Sequence, residues 1–316
     1  MKINSLEKIN INGSEQWVLI RGKSTDAPLL IHVQAGPGLP IIPEADTMEK
    51  LLHLENNFLV AYWDQRGCGK SFNEQIDPKS INFSQLSKDV ISCTQYLLKK
   101  YNKKDATVVG YSVGATVSLM AAAEQGSLFS ELFLVGLDID IPTANVLALD
   151  FAMQKAKEVN NKKIIKKIED LKKNPIIGGK RFQQRAKILT DFGGIRIGFS
   201  YAQLLLSGIK NMLFSKFYKI GDIVKTIRGM EFCQNALMPE FNMLNLFKTI
   251  EKVDASVHFI NGKHDAIAPY EIAVKFYNHL QARKKEFITF EHSAHFPNYD
   301  EPEKFSKVLI EHALGK

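Results

Sequence analysis

The chain of 316 residues has few cysteines, and none of them lies in a metal-binding or redox arrangement. Cys68, Cys93 and Cys233 form no C-x-x-C pair, and an odd number of cysteines is poor material for a disulfide framework. This usage is typical of a reducing compartment, so we predict a cytoplasmic protein. The spacing of histidine, cysteine and carboxylate residues predicts no metal site, and no segment indicates a cofactor.

Long hydrophobic runs are also missing. The first dozen residues are polar and of mixed charge, and the longest nearly apolar run is the short segment Ala115 to Ala123. A secretion signal or a membrane span needs a longer apolar stretch. We therefore expect neither, and no membrane partner.

The positive charge of the chain is confined to one segment. The net charge is +7, but Phe151 to Thr190 holds twelve Lys and Arg against three Asp and Glu, so the remainder is slightly acidic. A nucleic-acid surface can be built from such a segment, yet a solvated helix face is the commoner cause of a lysine run. We predict no nucleic-acid partner.

Strand and helix patterns alternate over most of the chain. The predicted strands are 8–11, 16–21, 29–33, 58–63, 107–109, 131–135, 256–260 and 286–291, and the predicted helices are 45–54, 84–101, 115–123, 269–280 and 302–314. An Asn12-Gly13 turn signal joins the first two strands as a hairpin. Strands that alternate with helices predict an α/β fold with a mostly parallel sheet covered on both faces.

This alternation is interrupted for over a hundred residues after Asp138. We predict one amphipathic lysine-rich helix over Ala152 to Lys173, stopped by Asn174-Pro175, and further helices broken at Gly193-Gly194 and Gly221-Asp222. Eleven aromatic residues lie between positions 151 and 247, more than a lysine-rich surface needs. Some of them are expected to line an apolar pocket.

One pentapeptide, Gly110-Tyr111-Ser112-Val113-Gly114, stands between a β-branched strand and an alanine-rich helix. In a nucleophile elbow the serine occupies the tip of such a turn, in a strained conformation that its flanking glycines permit. The helix behind it offers free backbone N–H groups to negative charge that develops beside the serine. The alternative is an ordinary serine in a glycine-rich helix start.

Two further residues complete a catalytic triad if each lies just past the carboxyl end of a parallel strand. Ser112, Asp265 and His295 occupy such positions, in the chain order of α/β-hydrolase triads. Asp138, at the end of the preceding strand, is the alternative acid. We interpret the neighbouring His264 and His292 as structural.

An oxyanion hole requires two preorganised N–H donors. The N–H of Val113 is one predicted donor, and that of Gly36, in the loop after the third strand, is the other. Together these residues predict acyl transfer through an acyl-enzyme.

Five features resemble the α/β-hydrolase superfamily, in particular its proline iminopeptidase-like branch. They are Gly36-Pro37-Gly38, Asp64-Gln65-Arg66-Gly67, the serine elbow, the late Asp265, and His295 before Glu301-Pro302. The resemblance implies an eight-stranded hydrolase core from residues 1–138 and 252–316 and a helical cap over 139–251. It also implies a serine hydrolase, with aminopeptidase activity of the proline iminopeptidase type, that acts on a small molecule or short peptide.

Two departures from that branch affect the expected pocket. Gln34-Ala35 stands where the branch usually has His-Gly, and Tyr111 and Val113 replace Gly and Trp beside the serine. Gln34 and Tyr111 are therefore candidate substrate-binding residues. In the aminopeptidases of this branch, cap carboxylates hold the free amine of the substrate, and Glu231 and Glu240 are the candidates for that role here.

Three other functions remain open. A carboxylesterase of small esters would use the same triad, and a non-catalytic binding protein of the same fold would be expected to have lost a triad member. Gly69-Lys70-Ser71 resembles the end of a phosphate-binding loop, but Asp64 occupies the position where that motif needs glycine. The sequence does not predict the oligomeric state.

Overall fold

The computed structural model describes residues 3–174 and 178–315. Its eight strands form one sheet in the order β1-β2-β4-β3-β5-β6-β7-β8. Their bounds are β1 (Ile3–Ile11), β2 (Ser14–Gly22), β3 (Leu29–Val33), β4 (Leu59–Asp64), β5 (Ala106–Tyr111), β6 (Phe129–Val135), β7 (Lys252–Gly262) and β8 (Gln281–Phe290). β2 is antiparallel to both neighbours, and the pairings from β4 to β8 are parallel. The predicted α/β-hydrolase sheet is thus confirmed.

The strands follow from simple sequence patterns. β3 is apolar at four of its five positions and every one of its residues is buried, as expected for a strand covered on both faces. In the β1–β2 hairpin, Asn12 and Gly13 have φ angles of 48° and 78°. Positive φ at both central residues is what a two-residue hairpin turn requires, so this turn signal is confirmed.

Helices cover both faces of the sheet, and a hydrophobic cluster fills each of the two interfaces. Their bounds in the described residues are α1 (Ala45–Leu52), α2 (Phe83–Lys100), α3 (Val113–Gln125), α4 (Ile141–Glu158), α5 (Lys162–Lys173), α6 (Gly179–Asp191), α7 (Tyr201–Phe214), α8 (Ile220–Phe241), α9 (Tyr270–His279), α10 (Pro297–Asp300) and α11 (Pro302–Leu314). None of them is long and apolar enough to cross a membrane.

Helices α4 to α8 lie between β6 and β7 and are called the inserted helices below. The predicted single helix over Ala152 to Lys173 is wrong, because α4 ends at Glu158 and α5 begins at Lys162. Asn160 has a left-handed φ of 48°, and the Asn161 side chain caps α5 by accepting the N–H of Ile164. Asparagine tolerates both roles better than most residues. Pro175 lies outside the described residues.

The two glycine breaks predicted in the inserted helices have different outcomes. Gly193-Gly194 follows the end of α6, as predicted. Gly221-Asp222 lies in the first turn of α8, where the Asp222 carboxylate accepts the N–H of Lys219. The acidic residue therefore marks the start of a helix, as expected from the helix dipole.

Candidate active site

Ser112 lies at the turn between β5 and α3, with φ 52° and ψ −122°. Such a conformation is strained for a residue with a side chain, and close packing on both sides maintains it. The Ser112 N–H donates to the Val135 carbonyl at 2.8 Å. A Cβ at Gly114 would lie only 2.1 Å from the Val33 carbonyl oxygen. The elbow therefore has the geometry predicted for a nucleophile.

His295 and Asp265 form a buried pair beyond the carboxyl ends of β8 and β7. A hydrogen bond of 2.8 Å joins His295 Nδ1 to Asp265 Oδ2. The other carboxylate oxygen accepts the N–H groups of Ile267 and Ala268 at 2.8 and 2.9 Å. Burial alone would lower the pKa of His295, but the carboxylates of Asp265 and Asp138 outweigh it and raise that pKa. This pair is suited to hold a proton on His295.

Gly136 lies directly against the His295–Asp265 pair, a feature that sequence reasoning missed. Its φ is +55°, and a Cβ there would lie 2.7 Å from His295 Nδ1 and 3.2 Å from Asp265 Oδ2. Only glycine combines this conformation with this close approach. The available signal was its position at the end of β6, next to the elbow strand.

Asp138 also reaches the site, but it contacts Ser112. The Ser112 hydroxyl donates to Asp138 Oδ2 at 3.0 Å, and the Thr116 hydroxyl donates to the Asp138 carbonyl at 3.0 Å. Asp138 Oδ1 is buried and has no hydrogen-bond partner among the described residues. Burial raises the pKa of Asp138 to about 6. The structure thus pairs Asp265 with His295, and Asp138 with the serine.

Arg185 on α6 brings a buried cation to these two carboxylates. Arg185 is only 3% exposed. Its Nε has no hydrogen-bond partner within the described parts of the chain. Burial lowers the pKa of Arg185 to about 10, against the opposing effect of Asp138 and Asp265. Arg185 was visible in the sequence only as one member of the basic segment.

The turn after α6 is joined to both loops that carry the His295–Asp265 pair. The Gly194 carbonyl accepts the N–H of Ala266 at 2.9 Å, and the Ile195 carbonyl accepts the N–H of His295 at 3.0 Å. A Cβ at Gly194 would lie 2.5 Å from that of Ala266. The inserted helices therefore contribute directly to the position of the histidine.

The two predicted oxyanion donors are close neighbours. A Cβ at Gly36 would lie 4.0 Å from the Val113 Cβ, and Val113 is the first residue of α3. The N-terminal end of a helix is favourable for negative charge. This placement agrees with the prediction, and the role of the two N–H groups stays a prediction.

The loop that carries Gly36 is held by hydrogen bonds from glutamine side chains. The Gln34 amide accepts the N–H of Ala35 and donates to the Pro40 carbonyl. Gln65 donates to the Gln34 carbonyl at 3.0 Å. Gln34 thus fixes its own loop, and direct contact between Gln34 and substrate stays a prediction.

Asp64 and Arg66, which flank Gln65 in the Asp64–Gly67 motif, have structural roles. Asp64 is fully buried and accepts the N–H groups of Ile41 and Ile42 and the hydroxyl of Tyr218, which lies between α7 and α8. Arg66 pairs with the buried Asp89 at 2.6 Å. These contacts give the motif a structural role, and the buried Asp64 carboxylate stands where a phosphate-binding loop needs glycine.

Tyr111, Glu231 and Glu240 lie in different surroundings. Tyr111 is buried and its hydroxyl is hydrogen-bonded to His32 Nδ1 at 3.2 Å. Both glutamates belong to α8 and are exposed, and Glu240 accepts the N–H of Phe83 at 2.9 Å. The structure therefore does not bring these side chains to Ser112 through any described contact, and their substrate-binding roles stay predictions.

His264 and His292 are both exposed. The N–H of His292 donates to the Glu301 carboxylate. His295, by contrast, is 4% exposed and paired with Asp265. Of the three neighbouring histidines, only His295 has an orienting carboxylate among its described contacts.

The sequence is similar to known serine hydrolases and to a probable aminopeptidase. A family model described as "Serine aminopeptidase, S33" matches residues 47–186. The chain is 28% identical to the "Probable aminopeptidase YbaC" of Bacillus subtilis over 312 residues, which cover 98% of this chain and 96% of that protein. It is also 28% identical to human "Serine hydrolase BPHL" over 130 residues, covering 41% and 42% of the two chains.

Solved structures show the same fold over nearly the whole chain. Proline iminopeptidase of Mycobacterium smegmatis superimposes with a TM-score of 0.67 and 16% identity, covering 98% of this chain and 99% of the other. The proline iminopeptidase-related protein of Thermus thermophilus gives a TM-score of 0.64 at 15% identity, covering 99% of this chain and 98% of the other. An esterase of Exiguobacterium antarcticum also gives 0.64, at 16% identity, covering 97% of this chain and 98% of its own. The fold is therefore shared by peptidases and esterases.

Proposed function

We propose that this chain, an α/β-hydrolase of the proline iminopeptidase type, cleaves acyl bonds with Ser112 as nucleophile, His295 as general base and Asp265 as the orienting acid. The observation that carries the proposal is the hydrogen-bonded His295–Asp265 pair, held at the ends of two parallel strands beside the strained serine elbow. A serine activated by an oriented histidine is the common requirement of acyl transfer.

The reaction follows from the positions of these groups. As Ser112 Oγ attacks the substrate carbonyl carbon, its proton passes to His295 Nε2, and Asp265 stabilises the resulting imidazolium. The carbonyl oxygen becomes an oxyanion that the N–H groups of Gly36 and Val113 stabilise. His295 then protonates the leaving group, and water hydrolyses the acyl-enzyme by the same steps in reverse order.

The proposed substrate is a small molecule or short peptide with a free amino terminus. The match to the serine aminopeptidase family model and the similarity to the probable aminopeptidase of Bacillus subtilis support aminopeptidase activity. The sequence-based candidates for the amine site, Glu231 and Glu240, remain part of this proposal. The predicted cytoplasmic location is part of it as well.

We further propose that residues 139–251 act as a cap on the core formed by residues 1–138 and 252–316. The inserted helices support this division, since Arg185 and the carbonyls of Gly194 and Ile195 meet the triad loops. A cap in this position would limit access to Ser112.

A panel of amino-acid anilides and short-chain esters tests the proposed activity. We expect the wild type to hydrolyse at least one of them with a burst of the first product, and Ser112→Ala to lose the activity while keeping its melting temperature. If the wild type cleaves esters but no unblocked amino-acid anilide, the aminopeptidase part of the proposal fails. If Ser112→Ala retains full activity, the triad is wrong.

A further inference from the structure

Two buried carboxylates near Ser112 share one permanent cation. Two carboxylates, Asp138 and Asp265, lie within electrostatic range of one cation, Arg185, and of His295. Asp265 is fully engaged, since both of its oxygens accept hydrogen bonds. Asp138 is 1% exposed and uses only Oδ2, which leaves Oδ1 without a described partner. Buried polar groups are normally paired, so Asp138 has room for one more donor.

The position of Asp138 matches one particular group of an aminoacyl substrate. Its Oδ2 lies 3.0 Å from Ser112 Oγ, the atom that attacks the substrate carbonyl. In any unblocked aminoacyl group, the α-nitrogen is about 2.5 Å from the carbonyl carbon. A carboxylate this close to the nucleophile is therefore within hydrogen-bond reach of that nitrogen.

We propose that Asp138 binds the protonated α-amino group of the substrate and so selects unblocked aminoacyl compounds. The proposal rests on the assignment of Ser112 as the nucleophile. It places the amine site at the end of β6, whereas the sequence suggested Glu231 and Glu240 on the inserted helices.

Electrostatics give this contact a role in the reaction. An ionised Asp138 shares the Arg185 cation with Asp265. Its remaining charge opposes the negative charge that develops on the carbonyl oxygen, and this repulsion is strong in a buried site. A bound ammonium group neutralises Asp138 before the attack. Substrates without an amine would leave the repulsion in place and react more slowly.

Two benzyl esters provide the test, one of alanine and one of propionic acid, which differ in the acyl part by the α-amino group alone. We expect the wild type to prefer the alanine ester in kcat/KM by 100-fold or more. Asp138→Asn should reduce this preference at least 10-fold, mainly by raising KM for the alanine ester. Asp140→Asn, two residues further on and not in contact with Ser112, is the matched control and should keep the preference.

Three outcomes would overturn the proposal. The wild type could fail to prefer the alanine ester, Asp138→Asn could slow both esters equally, or it could keep the full preference. If Asp138→Asn proves inactive, the measurement moves to binding: alanine amide should bind to Ser112→Ala, and at least 10-fold more weakly to Ser112→Ala/Asp138→Asn. Equal binding would contradict the proposal. If the wild type hydrolysed neither ester, that result would instead contradict the triad.

A second and independent feature lies at the β7–β8 edge of the sheet, apart from the triad. His258 on β7, Glu286 on β8 and His312 on α11 place their candidate ligand atoms within 4.8 Å of one another. Glu286 Oε2 lies 3.8 Å from His258 Nδ1 and 3.5 Å from His312 Nε2. These residues are far apart in the chain, which is why their spacing predicted no metal site.

His258 has the surroundings of a metal-binding histidine. Its side chain is 0% exposed, and Nδ1 has no hydrogen-bond partner within the described residues. The other nitrogen, Nε2, is bonded to the Glu131 carboxylate at 2.6 Å. A carboxylate on the far nitrogen is the usual way in which a ligating histidine is oriented. The free nitrogen faces Glu286.

The charges of the cluster also favour a cation. Glu131 and Glu286 supply two negative charges, and Lys284 is the positive group that opposes them.

We infer that His258, Glu286 and His312 bind a divalent transition metal such as Zn²⁺. Two imidazoles and a carboxylate form a frequent zinc set, with ligand atoms about 2.0 to 2.2 Å from the metal. In a tetrahedral site such ligand atoms are about 3.3 Å apart. The 3.5 and 3.8 Å separations from Glu286 need a small contraction, and the two histidine nitrogens, which lie within 4.8 Å of each other, need a larger one. The metal would fasten the C-terminal helix α11 to the sheet.

Titration of the chelator-treated full chain with Zn²⁺ tests this inference. We expect one equivalent to bind and to raise the melting temperature by several degrees. His312→Ala should weaken binding at least 10-fold and abolish the shift, whereas His279→Ala, which removes an exposed histidine of α9, should change neither. Absence of binding to the wild type, or equal binding by His312→Ala, would overturn it. Hydrolase activity is not the readout, so the result is independent of the triad.

Discussion

The ends of β6 and β7 carry one aspartate each, and the two differ in how completely they are hydrogen-bonded. Asp265 accepts two backbone N–H groups and the imidazole of His295. Asp138 accepts only the Ser112 hydroxyl through its side chain, and Oδ1 is left without a described partner. Both are buried, at 6% and 1% exposure.

This difference distinguishes a carboxylate held in one orientation from a carboxylate that can accept a further donor. A carboxylate with every oxygen occupied is held in one orientation, which suits the support of a catalytic histidine. A buried carboxylate with a free oxygen gains by binding a further donor. We therefore propose Asp265 for orientation and Asp138 for recognition, and the following predictions test that separation.

The largest effect is expected when His295, the proposed general base, is removed. His295→Ala should lower kcat by about 1,000-fold or more, because triad members act as a unit. His292→Ala is the matched control, since His292 is exposed, and it should retain most of the activity. Steady-state kinetics on one good ester distinguish the two. Equal losses in both variants would show that the base is assigned wrongly.

The next largest effect is expected from Asp265→Asn. The amide would favour the wrong imidazole tautomer and should cost about 1,000-fold or more in kcat for every substrate. Asp138→Asn should instead act on the amine-bearing substrate. Measuring both variants on the alanine and propionate benzyl esters separates the roles. If Asp138→Asn caused the uniform loss and Asp265→Asn the selective one, the assignments would have to be exchanged.

A smaller effect is expected from Gly136, which follows β6 and lies against the His295–Asp265 pair. Gly136→Ala places a methyl group against His295 at a positive φ, which costs about 1 kcal/mol or more in stability and should lower kcat about 10-fold or more. Gly13→Ala is the control: its φ is +78° but no atom lies within 4 Å of the new Cβ. It should lose stability alone. Full activity in Gly136→Ala would contradict the close packing of the pair.

The smallest predicted effect is a change in preference with pH. Since the pKa of Asp138 is raised to about 6, the carboxylate is ionised above that pH and protonated below it. The groups that face it are Ser112, His295, Asp265 and Arg185. We expect the ratio of kcat/KM for the alanine ester to that for the propionate ester to fall several-fold as the pH drops from 7 to 5. His295 protonation slows both esters alike, so it cancels in the ratio. Asp138→Asn should give a flat ratio, and the same fall in that variant would refute the assignment.

Much of the fold was predictable because its signals are local. β3 was predicted with its observed bounds, since a fully buried parallel strand reads as a short apolar run. The helix from Pro302 to Leu314 was also predicted with its observed bounds, because a proline starts it and a glycine follows it. The break between α4 and α5 at Asn160-Asn161 was missed because the lysine-rich pattern is the same on both sides of it.

The site was predictable to the extent that it lies at strand ends. Ser112, Asp265 and His295 follow the carboxyl ends of β5, β7 and β8, which a parallel sheet brings to one edge. The choice between Asp138 and Asp265 depended on side-chain contacts that no pattern encodes. Arg185 reaches the carboxylates from α6, and the His258 cluster joins three distant segments; both are products of tertiary packing.

The central claim is that Ser112 is a nucleophile activated by its surroundings, and labelling with an organophosphonate tests it most directly. The phosphorus adduct resembles the tetrahedral intermediate that the site is built to stabilise. Incubation of the folded wild type, followed by mass spectrometry of its peptides, should show one stoichiometric adduct on Ser112. His295→Ala should be labelled at least 100-fold more slowly. An unlabelled Ser112 in folded protein, or labelling that ignores the loss of His295, would contradict the account.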